Sequence, residues 1–314
     1  MKIITFQDIK KLGISPATCY EWVAQTIRDK DKYILPPKIS LKPRDGVFCN
    51  VMPTIGGSVG GVKVVTRYPE REPSLDSKLL LMNADSGEFL ALMDADFITA
   101  MRTGAVAAHS IRLLAKTDYS NIGIMGLGNT ARAALLVLLE VEREKSFKIK
   151  LLRYKDQAES FAERFSEYKN VSFEVVDTPR DIVRGSDVVI SAITYTEGDL
   201  CSDGDFPEGI LVVPIHTRGF TNCDLFFDKV FADDEGHVCH FGNFKKFRSF
   251  AEVSDVVNGR AKGRESDRER ILAYNIGLSI HDIFFASKIY EMLAHAGKPL
   301  REIDLESPNE KFWI

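Results

Sequence analysis

The six residues Gly126-Leu127-Gly128-Asn129-Thr130-Ala131 make up the stretch of the chain whose types and spacing point most directly to chemistry. In a G-x-G-x-x-A loop between a strand and a helix, Gly126 permits a tight turn and Gly128 lets a pyrophosphate approach the backbone. Ala131 lets the helix pack closely on the sheet. The free N–H groups of the helix start then face the phosphates. Downstream, Arg153-Tyr154-Lys155 occupies the end of the next strand, and the first acid after it is Asp156. An NAD site usually carries an acid here to hold the ribose 2′-hydroxyl, whereas two cations suit a 2′-phosphate. NADP(H) is therefore favoured over NAD(H), the alternative being that Arg153 and Lys155 are solvated strand-end residues. His237, Cys239 and His240 are the one cluster with metal-ligand chemistry, but no second ligand pair stands at zinc spacing, and no metal site is expected.

Such a loop works only inside a strand–helix–strand unit, and the surrounding pattern supplies one. Apolar strands are expected at 121–126, 148–153, 171–176, 187–193, 210–215 and 229–234, with helices at 130–142 and 157–168. This alternation calls for a doubly wound parallel sheet of the Rossmann type. Before it, Ser15-Pro16 opens a helix, and "GVFCNVMPTI" and "GGVKVVTRY" read as strands about a glycine turn. "SKLLLMNADSGEFLALMDAD" reads as a hairpin, followed by an alanine-rich helix from about Asp96 to Lys116. From about Phe247 the chain reads as helical, with a last helix long enough to return to the first region. The expected organisation is therefore a discontinuous α+β domain for substrate and dimerisation, residues 1–116 and 285–314. It is joined to a dinucleotide-binding domain over 117–284.

Composition narrows the classes. The 314 residues carry a formal net charge of −4, with no block of Lys or Arg, which argues against a nucleic-acid surface. No apolar stretch approaches bilayer length, no signal peptide is evident, and the five cysteines contain no C-x-x-C, so a cytoplasmic protein off the membrane is expected.

With these elements in place, the chain resembles the ornithine cyclodeaminase/μ-crystallin family over nearly its whole length. The resemblance is carried by "GGVKVVTRYPE", "NADSGEFLALMDADFITAMRTGAVAAHSIRLLAK", "GIMGLGNTARAAL" and "GRESDRERILAYNIGLSIHD". It implies a homodimer that exchanges hydride between a nicotinamide and a small L-amino acid or its imine. It sets Lys63 where the family's substrate lysine sits. There Lys63 would bind a carboxylate or, with its pKa lowered by burial, handle a proton. Arg102 and Thr103 match contacts to the cofactor phosphates, and an arginine in a helix of small residues needs an anion to be buried, a structural ion pair being the alternative. Thr194 and Asn275 align with further cofactor contacts. His216 to Gly219 follow the fifth strand at the carboxyl edge where such sheets bind ligands.

Three departures shape the expected chemistry. The family's cyclodeaminases carry a catalytic Asp shortly after the glycine at Gly219, but this chain offers no acid before Asp224, which aligns better with the end of the family's loop. Asn50 stands where cyclodeaminases have a glutamate, and Lys38 where an arginine commonly clamps the substrate carboxylate. A pocket with Asn50, His216 and Arg218 suits a less cationic substrate than a diamino acid, and His216 could serve as general acid. The reading is thus an amino-acid dehydrogenase or imine reductase, with Lys63 and Lys38 on the carboxylate. A cyclodeaminase and a non-catalytic NADP(H)-dependent ligand-binding protein are the alternatives. A short-chain dehydrogenase is disfavoured, since the glycine loop begins only at Gly126 and no Tyr-x-x-x-Lys pair follows it usefully.

Overall fold

The computed structural model describes residues 1–193, 196, 198–215, 220, 224–297 and 299–305. The first region runs through β1 (Lys2–Ile4), α1 (Phe6–Lys10), α2 (Pro16–Arg28), β2 (Tyr33–Ile34), β3 (Ile39–Leu41) and β4 (Phe48–Gly56). It continues with β5 (Val59–Arg67), β6 (Leu75–Asn83), β7 (Phe89–Asp94) and α3 (Asp96–Leu114). The helix start at Ser15-Pro16 forms as its chemistry requires: the Ser15 hydroxyl accepts the Thr18 N–H at 3.0 Å, with proline in the first turn.

The strands pair as one sheet in the order β1-β7-β6-β5-β4-β2, with β3 also on β4. Its register sorts side chains into two faces. Met52, Lys63, Leu79 and Met93 lie opposite one another and are all buried, so they mark the inner face. Pro53, Val62, Leu80 and Leu92 lie opposite one another on the other face and are only partly covered. Asn50, opposite Val65, shares the inner face with Lys63.

The second region contains β8 (Asn121–Met125), α4 (Asn129–Val141), β9 (Phe147–Leu152), α5 (Gln157–Glu163), β10 (Val171–Val176), α6 (Pro179–Val183) and β11 (Val188–Ser191). β12 (Leu211–Pro214), β13 (Lys229–Ala232), β14 (Phe250–Glu252), α7 (Val253–Val257) and β15 (Ile271–Tyr274) complete it. They build a parallel sheet in the order β10-β9-β8-β11-β12-β15-β13-β14. The order reverses between β8 and β11, the crevice where such sheets hold dinucleotides. The stretch after Phe247 is not wholly helical as expected: it contributes β14 and β15. Ile271–Tyr274 is an all-apolar run buried on both faces between β12 and β13, and so short a run carries no periodicity by which to tell strand from helix.

The chain then enters α8 (Ser279–His295), which packs on β4, β5 and β6, and ends with β16 (Arg301–Glu302) antiparallel to β1. α2, α3 and α8 pack on one another, and α3 also packs on α4 and β12. Gly104 allows this close approach, because a Cβ there would overlap the backbone of Ala133 in α4.

Candidate functional site

The loop between β8 and α4 has the geometry of a phosphate cradle. Gly126 sits at φ +80°, and a Cβ on it would run into the backbone of Ala192, so only glycine fits. Gly128 caps α4 with no side-chain bond, is exposed, and would meet nothing within 4 Å if it carried a Cβ. Asn129 is exposed and Thr130 half-buried beside it, while Ala131 is fully buried against the sheet. An open helix start with free N–H groups, backed by a sheet edge, fits a pyrophosphate.

At the end of β9, Arg153 is half exposed, with Nε 2.8 Å from Asp177 Oδ1 and Nη1 3.2 Å from Glu159 Oε1. Lys155 stands at φ +50° with its ammonium 5.4 Å from the Tyr154 ring centre. Both lie on the β9 side of the crevice.

A buried charge cluster forms where β5, α3 and α8 meet. Lys63, from the inner face of β5, places Nζ 2.8 Å from Asp282 Oδ1, and both side chains are wholly buried. Arg102, from α3, brings Nε to the same oxygen at 2.9 Å. Asp282 Oδ2 is buried and has no hydrogen-bond partner among the described residues. The approach of Arg102 requires glycine at Gly277, where φ is +98° and a Cβ would overlap the guanidinium. Burial, reinforced by the Arg102 charge, takes the Lys63 ammonium down to about 7 despite the opposing pull of Asp282.

Lys38 adds a third cation. Its Nζ donates to the Ile276 carbonyl at 3.1 Å, and burial lowers its pKa to about 8 against the pull of Asp233. With Met52, His237, Gly277 and Ser279 it lines a narrow recess. Asp233, just past β13, accepts the Gly277 N–H, and its Oδ1 is 3.7 Å from His237 Nδ1. Burial would raise the Asp233 pKa, but His237, the Gly277 amide and Lys38 outweigh it and hold the carboxylate below its usual range. Asn50, on the inner face, accepts the Ser40 hydroxyl at 2.6 Å.

The sequence reading set Lys63 and Lys38 on the substrate and Arg102 on the cofactor phosphates; in the structure Arg102 is instead ion-paired to Asp282, beside Lys63. Thr103 is buried beside Arg102, but its hydroxyl donates into its own helix, to the Thr99 carbonyl at 2.7 Å. Asn275, just past β15, is likewise buried; its amide oxygen accepts the Ser110 hydroxyl at 3.0 Å and its amide nitrogen donates to the Ala273 carbonyl. Thr194, His216, Arg218 and Gly219 lie outside the described residues. Asp224, the first acid past Gly219, is buried and accepts the Asn243 amide at 2.9 Å. Of the residues weighed for metal, His237 is turned to Asp233 and Cys239 is exposed. Sequence reasoning passed over Asp282, Asp233 and Gly277. A signal for the first was present: Asp282 is an acid inside the apolar run of α8, just as Arg102 is a base among small residues of α3, and such lone charges need each other.

Comparison with known proteins agrees with this architecture. The model of the ornithine cyclodeaminase/mu-crystallin family matches residues 3–297. Nodulation efficiency protein NfeD of Rhizobium meliloti is 26% identical over 308 residues, covering 93% of this chain and 95% of that one. Delta(1)-pyrroline-2-carboxylate reductase of Bacillus cereus is 26% identical over 270 residues, covering 79% and 82%. Among solved structures, Thermococcus litoralis Delta(1)-pyrroline-2-carboxylate reductase in complex with NADH and L-proline superposes with a TM-score of 0.82 at 26% identity, covering 95% of this chain and 98% of that one.

Proposed function

The chain belongs to the ornithine cyclodeaminase/mu-crystallin family, and on that premise we propose that it is an NAD(P)-dependent reductase or dehydrogenase acting at the α-carbon of a small 2-imino or 2-amino carboxylate. The observation that carries this reading is the gathering of Lys38, Lys63 and Arg102 beside the carboxyl edge of a dinucleotide-type sheet. Three cations facing two buried acids leave one positive charge over, which a single carboxylate neutralises. Members named for reduction of a cyclic imine carboxylate support the same class. The chain's lack of an acid directly after Gly219, and Asn50 in place of a glutamate, weigh against a cyclodeaminase.

In this reading, the N–H groups of the Gly126–Thr130 loop hold the pyrophosphate, and Arg102 lies between that end and the substrate. A bound nicotinamide supplies or receives the hydride. Lys63 and Lys38 bind the carboxylate and orient the α-carbon, and the apolar walls around β5 and α8 exclude water. A lysine with its pKa near neutrality can also pass a proton to the substrate nitrogen. NADP(H) remains our preferred cofactor. The pairing of Arg153 with two acids does not bar a 2′-phosphate, since exposed pairs are worth about 0–1 kcal/mol, and Lys155 is at hand. We assign residues 1–116 with 285–314 to substrate and dimerisation and 117–284 to the dinucleotide. The outer sheet face around Val62, Leu80 and Leu92 is the proposed homodimer surface, and the cytoplasm the proposed compartment.

The test is a spectrophotometric assay of NADPH and NADH oxidation with five- and six-membered cyclic 2-imino carboxylates and with pyruvate plus ammonia. Net oxidation with one of these is expected. Stoichiometric ammonia from L-ornithine, with no net change in the dinucleotide, would replace this reading with cyclodeamination.

A further inference from the structure

Asp282 lies where three elements distant in sequence converge: β5 brings Lys63, α3 brings Arg102 and α8 brings the carboxylate. One oxygen serves both cations, at 2.8 and 2.9 Å, and the second oxygen is buried without a partner among the described residues. None of the three side chains is more than 7% exposed. A lysine this deep, beside an arginine, would shed its proton unless an anion held it. The groups facing Lys63 are Arg102 from α3, Lys38 from the segment before β3 and Asp282 from α8, and only Asp282 has the sign that keeps the proton on. Asp233, past β13, pulls on Lys38 instead. His281, next to Asp282, carries no charge near neutrality, because burial takes it down to about 3.

We propose that Asp282 is the positioning residue of the carboxylate site: its charge keeps Lys63 an ammonium, and its shared oxygen fixes Lys63 and Arg102 relative to each other. This rests on the reading of Lys63 as the group that binds the substrate carboxylate. Below about pH 7 substrate then meets a preformed cationic pair rather than a neutral amine, and the unshared oxygen keeps one acceptor free inside the site.

The experiment is calorimetric binding of pyrrole-2-carboxylate to the full chain saturated with NADPH or NADH, with pH stepped through neutrality. Wild-type affinity is expected to fall as pH rises through about 7. Asp282→Asn is expected to move that fall by at least about one unit to lower pH, so that binding at neutrality weakens about fivefold or more and recovers on acidification. Asp282→Glu, which keeps the charge, is expected to retain the wild-type limit. A loss in Asp282→Asn that is the same at every pH, or no loss, would overturn the proposal, as would a shift in Asp282→Glu as large as in Asn. Where the Asn variant does not fold, the Glu variant decides: an upper pH limit within about half a unit of wild type supports the proposal, and a shift of about one unit or more overturns it. If wild type binds the dinucleotide but no carboxylate, the reading of Lys63 fails before any variant is made, and the proposal with it.

Discussion

Lys63 sits in a strand segment of glycine and valine, and among the described residues its ammonium is held by an aspartate that arrives from α8. On the proposed reading Lys63 also pairs with the substrate carboxylate, and losing one partner of a buried binding pair costs about 2–5 kcal/mol, so Lys63→Met should lower kcat/KM by about thirtyfold to several thousandfold. The fold should survive, because Asp282 keeps Arg102. An activity within about threefold of wild type would remove Lys63 from the site. The sign of the pH effect follows from its depressed pKa: on the proposed reading the charged form binds carboxylate, so wild-type kcat/KM should fall as pH rises through about 7. At the other end of the crevice, Lys155→Ala should weaken NADPH more than NADH, read as the ratio of the two dissociation constants; an unchanged ratio would favour NAD(H). Much of this site was legible in residue types. Lys63 and Arg102 were located by the family resemblance, which their apolar or small-residue surroundings supported, and the glycine loop by its spacing. Asp282 and Gly277 were not read, because what they do depends on a neighbour 180 or so positions away.

The spacing of the elements is set by a few small residues. Gly104 lets α3 lie against α4, the helix that carries the phosphate loop. Gly104→Ala inserts a methyl group where Ala133 has its backbone, and should cost about 1–3 kcal/mol. A lower urea midpoint, with weakened dinucleotide affinity as α4 shifts, is the expected result; an unchanged midpoint would show that the helices are held apart elsewhere. The strands flanking the glycine loop were readable from alternating apolar runs and helices, and the hairpin from its turn at Asn83–Gly87. β15 was not, because a central parallel strand buried on both faces looks like any short apolar run. Its slot between β12 and β13 is a matter of topology, which local pattern does not encode.

Over the whole molecule, two buried histidines set the response to acid. Burial, with Arg112 and Arg28 nearby, takes His109 down to about 4, and burial with Arg102 nearby takes His281 down to about 3. The unfolded chain protonates both below about 6.5, whereas the folded chain does not. Stability is therefore complete above that value and is lost as pH falls toward these folded-state values, by about 1.4 kcal/mol per pH unit for each histidine. Urea midpoints measured on acidification should fall less steeply in His281→Gln than in wild type; parallel slopes would exclude the histidine as the cause. The proposed homodimer surface is the outer face of the first sheet. Leu80→Lys places a charge at its centre and should yield a monomer by light scattering, with the fold intact by circular dichroism. A dimer that persists would mean the subunits meet elsewhere.

The return of α8 to the first sheet has a consequence for synthesis on the ribosome. Lys63 and Arg102 emerge early, yet the carboxylate that neutralises them is made only at position 282, after the whole parallel sheet. Until then the inner face of β4, β5 and β6 lacks its covering helix, and Lys63 on that face and Arg102 on α3 both lack their carboxylate. The nascent first region therefore has to wait for the end of the chain. A ribosome stalled before α8 would expose a half-built, cationic sheet, the kind of surface that chaperones hold and proteases find.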